Sequence, residues 1–148
     1  MTRLFDHMAW ADRRLVELFT ATPAAREVPG ALRWLAHIVA AERVWLRRIR
    51  GEDWTTTPIW PEWTVDQIAE IAADNARGYV ALAGEDGTRV VEYRTSEGKA
   101  FQTRLDDILT HVALHGSYHR GQIAAALRAV GVAPVGTDFI LFARQVPT

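Results

Sequence analysis

Apolar residues recur along this chain with the period of an α-helix in four long stretches and with the period of a strand in one short stretch. Leu4, Met8, Ala11, Leu15 and Leu18 lie three or four residues apart, which places them on one side of a first helix that Pro23 closes. A second helix is expected from about Gly30 to Arg50, with Leu32, Leu35, Val39, Leu46 and Ile49 on its apolar side and Gly51 as a left-handed C-terminal cap. Thr64-Val-Asp-Gln67 has the form of a capping box and opens a third helix through Ile68, Ala72, Ala76 and Tyr79 to about Ala83. Residues 89–94 and 99–103, either side of Thr95-Ser-Glu-Gly98, alternate and turn like a β-hairpin. Thr103 followed by Asp106 reads as the cap of a fourth helix that ends at Gly131, with Pro134 beyond. Four helices of this length with one small hairpin predict an all-α fold, an up-and-down four-helix bundle with the hairpin before the last helix. No internal repeat or low-complexity tract interrupts it, so residues 1–148 read as one domain.

Composition narrows the function classes. The 148 residues are 49% hydrophobic and 24% charged, enough apolar material for a real core. A net charge of −1 gives no long-range pull toward nucleic acid or an anionic membrane. There is no cysteine, so disulfides, thiolate metal sites and cysteine nucleophiles are excluded and any metal must use histidine or carboxylate. The N-terminal stretch is charged and helix-periodic rather than a secretory leader, and no apolar run approaches membrane-spanning length. A cytoplasmic protein is the expectation.

The chemistry-bearing feature is a run of histidines. His111, His115 and His119 are spaced by four residues, so neighbours stack on one side of a helix about 5–6 Å apart. Two imidazoles held in that way can chelate one transition metal ion if a third ligand arrives from another element. At about 100° per residue, the apolar stripe of the fourth helix centres on Leu105, Leu109, Val112, Ile123, Leu127 and Val130. His119 falls within it, roughly 40° from the centre, and His115 sits at its edge at roughly twice that angle; His111 lies further round. The favoured pair is therefore His115 and His119. His37, the single histidine of the second helix, is the natural third ligand, although its side carries Ala36, Ala40 and Ala41 rather than the main apolar stripe.

Leu35, His37, Glu42, Trp45 and Leu46, then the hairpin, then the run from His111 through His115 and His119 to Arg120-Gly121-Gln122, together resemble the DinB/YfiT-like metalloenzymes. The resemblance spans nearly the whole chain, including Thr137-Asp138-Phe139, and the His-x-x-x-His-Arg-Gly-Gln element after a hairpin is its more specific part. It implies a four-helix bundle, commonly dimeric, holding zinc, nickel or iron through one histidine of the second helix and two of the last. Those positions match His37, His115 and His119 here. Several relatives transfer or isomerise substrates with a small thiol such as bacillithiol or mycothiol. Many members carry asparagine where this chain has Leu114, a departure that bears on a polar contact beside the metal rather than on the ligands.

Other residues carry weaker expectations. His111 reads as structural or as a support for the ligands, and His7 as a surface residue. Glu42 reads as one half of a core salt bridge with an arginine, with acceptance from an imidazole N–H as the alternative. Trp54, Trp60 and Trp63 either roof the site or pack across the bundle end. Arg120 and Gln122 read as structural or dimer-contact residues. Three neutral imidazoles on one face of a divalent ion leave an open position for water, substrate or thiolate. No serine–histidine–acid order, phosphate-binding glycine loop, HExxH motif or Glu-x-x-His pair is present. The expected function is thus a metal-dependent enzyme acting on a small molecule, of thiol-dependent transferase type or a hydrolase using metal-bound water. A non-catalytic metal-binding module, with a fourth protein ligand closing the site, is the alternative.

Overall fold

In the computed structural model, which describes residues 2–145, four long helices account for most of the chain. They are α1 (Thr2–Ala21), α3 (Ala31–Arg50), α4 (Val65–Leu82) and α5 (Leu105–Ala129). A single turn, α2 (Pro23–Arg26), follows α1, and a short α6 (Phe139–Gln145) lies near the C-terminus. Strands β1 (Val90–Arg94) and β2 (Ala100–Arg104) form an antiparallel hairpin in which Val91 faces Thr103 and Tyr93 faces Phe101. No helix among the described residues is long and apolar enough to cross a membrane.

Local chemistry sets most of the boundaries. Gly51, at φ 69°, terminates α3, and the next N–H, that of Glu52, reaches back 2.9 Å to the Arg47 carbonyl. The capping box at Thr64 forms in both directions, Gln67 N–H to Thr64 Oγ1 at 3.2 Å and Thr64 N–H to Gln67 Oε1 at 2.9 Å. The cap expected from Thr103 and Asp106 does not form. Thr103 is committed to the hairpin, Arg104 is the N-cap without a side-chain bond, and Asp106 pairs with the Arg104 guanidinium. The first free N–H groups of α5 are satisfied instead by carbonyls of the loop preceding β1: Leu105 donates to Arg89 and Asp106 to Gly87, each at 2.9 Å.

Contacts between helices fix their directions. Asn75 of α4 reaches Val39 and Glu42 of α3, and Gly78 further along α4 lies against Leu46 and Arg50 further along α3. These two helices therefore run the same way, because residues 51–64 carry the chain back along the bundle before α4 starts. Helices α1 and α5 run opposite to them, so the all-α bundle with its hairpin has an up-down-down-up order of helices in place of the strictly alternating one expected from the sequence. Two apolar clusters result. One gathers Leu15, Phe19, Leu35, Ile38, Ile68, Ile123 and Leu127, and the other Phe5, Met8, Leu46, Tyr79, Leu105 and Leu109 near the hairpin.

A buried polar layer separates the two clusters. Asp12 of α1 accepts from Arg120 of α5 at 3.1 Å, and Asn75 of α4 donates to Glu42 of α3 at 3.3 Å. The Tyr79 hydroxyl donates to the Glu42 backbone carbonyl at 2.7 Å. Glu42 thus bonds neither an arginine nor an imidazole, in contrast to both sequence expectations. His7 is not a surface residue either: it is buried, and its Nε2 bonds the Thr137 carbonyl at 2.7 Å, tying the segment before α6 to α1.

Candidate metal centre

His37 comes from the second turn of α3, and His115 and His119 come from the middle of α5, which runs antiparallel beside it. The antiparallel pairing brings the three rings together, with ring centroids 4.9 Å apart for His37 and His119, 5.1 Å for His37 and His115, and 4.4 Å for His115 and His119. One nitrogen from each lies within 4.8 Å of the others, a cluster that could hold a metal ion, and no carboxylate belongs to it among the described residues. His37 and His119 are buried and His115 half-buried.

Hydrogen bonds on the far sides of two rings set which nitrogen faces inward. His37 Nδ1 donates to the Ile59 carbonyl at 2.8 Å, which leaves its Nε2 lone pair free. His119 Nδ1 donates to Gln122 Oε1, so its Nε2 is also a lone pair, and that atom sits 3.0 Å from His115 Nε2. Two nitrogens each about 2.1 Å from one ion and at right angles to each other would be separated by about 3.0 Å. The donor chemistry and spacing therefore suit a divalent ion of the kind imidazole prefers.

The electrostatics favour the ligating form. Burial lowers the His37 pKa, against the opposing effect of the Ile59 hydrogen bond. Burial, then the neighbouring imidazoles of His119, His37 and His111, push His115 down to about 4. At neutral pH both are uncharged imidazoles with lone pairs to give, as metal binding requires.

Aromatic rings wall the cluster. Trp60 stacks on His37 with centroids 3.8 Å apart and planes 8° from parallel, and Trp34 stacks on His119 at 4.7 Å. Trp34 and Trp60 meet edge-to-face at 5.1 Å. Of the three loop tryptophans, only Trp60 is at the site. Trp54 lies under the Arg48 guanidinium at 4.2 Å, and Trp63 packs against the cluster that includes Leu35 and Ile68. His111 stays outside the triad, exposed and edge-on to Trp45 at 5.4 Å.

Sequence reasoning missed three participants. Gln122 carried a signal, since it lies three residues beyond His119 on the same helix side. Trp34 stands three residues before His37 and could have been placed by the same count. The Ile59 carbonyl gave no signal, because a backbone acceptor 22 residues from its donor is invisible to spacing.

A histidine-only site held between two antiparallel helices of a bundle defines a class, that of helical proteins with a three-imidazole centre. The chain belongs to the DinB family, which matches it over residues 1–146. It is similar to Protein DinB of Bacillus subtilis (strain 168), with 20% identity across 95% of this chain and 91% of that protein.

Proposed function

We propose that His37, His115 and His119 hold a divalent ion, zinc, nickel or iron, and that the protein transfers a small thiol, supplied as cosubstrate, to an electrophile. One observation carries the reading: three converging imidazoles, joined by no further histidine or carboxylate among the described residues, in a chain without cysteine. A site of that kind leaves room for an exogenous ligand, and the chain has no thiol of its own to use. When bound, the ion would lower the pKa of a coordinated thiol or water toward neutrality.

The chain's own contribution is orientation and shelter. The Ile59 carbonyl and Gln122 fix the tautomers of His37 and His119, so the inward nitrogens carry lone pairs rather than protons. Trp60 and Trp34 cover a face of each of these rings and keep water from them. We further propose a small-molecule substrate and a homodimeric assembly. Family membership supports the dimer, and so do the large apolar side chains Leu114, Tyr118 and Ile140, which are exposed in the single chain. Light scattering should give twice the 16.6 kDa chain mass at micromolar concentration, and the monomer mass would refute it.

The functional test is turnover of a generic electrophile with bacillithiol, mycothiol or glutathione, comparing metal-loaded with metal-stripped protein. Thiol- and metal-dependent product formation is expected. Metal-dependent hydrolysis without thiol would move the assignment to a hydrolase using the same open position.

A further inference from the structure

We propose that the ligand of this centre carries a carboxylate and that Arg33 receives it, an inference resting on the open metal centre proposed above. Arg33 precedes His37 by four residues on α3, so the two side chains rise from the same helix side one turn apart. Both meet Trp60: the His37 ring stacks on it at 3.8 Å, and the Arg33 guanidinium lies 5.5 Å from its ring centroid. Beside them is a cavity of about 280 Å³ lined by Gly30, Arg33, Trp34 and Trp60. Its two tryptophans are the residues stacked on two of the three ligand imidazoles, so the cavity adjoins the centre. A larger cavity, of about 610 Å³, is lined wholly by hairpin residues and contains none of the histidines.

The charge in the smaller cavity is unbalanced. Arg33 is its single charged lining residue, and no carboxylate among the described residues pairs with it. Three other arginines of α3 have partners of their own, two of them polar and one aromatic. Arg43 pairs with Asp74 at 2.6 Å, Arg47 bonds Thr56 at 2.8 Å, and Arg48 lies against Trp45 and Trp54. Arg33 is held only through an aromatic face, which leaves the edge of its guanidinium free as a planar fork for a carboxylate. Arg33 is itself exposed, so the fork is open to an incoming ligand, with the Trp60 ring beside it. One cation in so small a space matches a monoanion, and the tryptophan faces suit a short apolar or aromatic skeleton behind it. The carboxylate belongs either to the thiol or to the electrophile.

Cobalt-loaded protein can distinguish these sources. 3-Mercaptopropionate and its neutral analogue 3-mercaptopropionamide would be titrated against the thiolate-to-cobalt absorption band. Benzoate and benzamide would be titrated separately against tryptophan fluorescence. The expected result is that wild-type protein binds the carboxylate member of at least one pair about tenfold more tightly. Arg33→Gln should bring the two affinities together while metal content stays at the wild-type ratio. Preference for mercaptopropionate places the carboxylate on the thiol. Preference for benzoate with no thiolate band leaves the Arg33 site standing and removes the thiol reading. Equal affinities within both pairs for the wild type, or a preference that survives Arg33→Gln, would overturn the inference.

Discussion

Gln122 offers a way to weaken the metal centre without touching a ligand. Its Oε1 accepts the Nδ1 proton of His119, and no other protein acceptor bonds that nitrogen among the described residues. Removing the acceptor has two effects on His119. The ring gains freedom to rotate and to place its proton on Nε2, which abolishes the lone pair facing His115. It also loses the electron density that an accepted hydrogen bond lends to the opposite nitrogen. Loss of such a supporting partner typically weakens metal affinity by about 10–100-fold, which corresponds to about 1.4–2.8 kcal/mol. Gln122 is half-buried, so water can replace part of the lost bond, which places Gln122→Ala near the lower end, at about tenfold. The position is helical and alanine is a good helix former, so the thermal midpoint of the metal-free protein should stay close to wild type. Gln122→Glu keeps an acceptor and makes it stronger, and its affinity should equal or exceed that of wild type. The assay is competition with a chromophoric chelator at fixed pH. If Gln122→Ala holds metal within twofold of wild type, the tautomer argument is refuted.

Two further outcomes follow from the bundle interior. Burial, then the charge of Asp12, push the Glu42 carboxyl well above the usual carboxylate range. A pKa raised by folding means that the folded state retains a proton the unfolded chain has lost. The stability it contributes is therefore complete below about pH 4 and declines as pH rises toward the folded value, by at most about 1.4 kcal/mol per pH unit. Glu42→Gln, whose amide can donate to Asp12 permanently, should gain on wild type as pH increases from 4 to 7, and a stability difference that does not change with pH would contradict this. A methyl group added at Gly78 would lie 2.5 Å from a Leu46 methyl and 3.0 Å from the Arg50 guanidinium, where α4 and α3 touch. Gly78→Ala should therefore destabilise by roughly 1–3 kcal/mol in urea unfolding, and a neutral or stabilising result would show that the helices can separate there at little cost.

What the sequence made legible was whatever is encoded within one element. Four helical periods, the capping box at Thr64, the glycine stop at Gly51 and the alternating hairpin all act through neighbours a few residues apart. The phase of His115 and His119 relative to Leu109 and Ile123 did the same for half of the candidate site. His37 was harder, because its partner helix is chosen by the fold, and its alanine-rich surroundings matter only once α5 lies against them. The return of the chain along residues 51–64 left no periodic trace, and with it were hidden the common direction of α3 and α4, the Ile59 carbonyl and the stacking of Trp60. Thr103 shows a related failure. Its sequence fits a helix cap equally well, but the strand pairing of the hairpin claims the residue first. His7 was misread because burial by α6 comes from a segment some 130 residues away.

The most direct test of the account is metal content per chain in protein purified without added metal, measured for wild type and for His37→Ala, His115→Ala, His119→Ala and His111→Ala. One ion per chain is predicted for wild type and for the His111 variant, with loss in each of the other three. Equal loss in the His111 variant, or a full complement of metal in any one of the triad variants, would contradict a centre built from His37, His115 and His119.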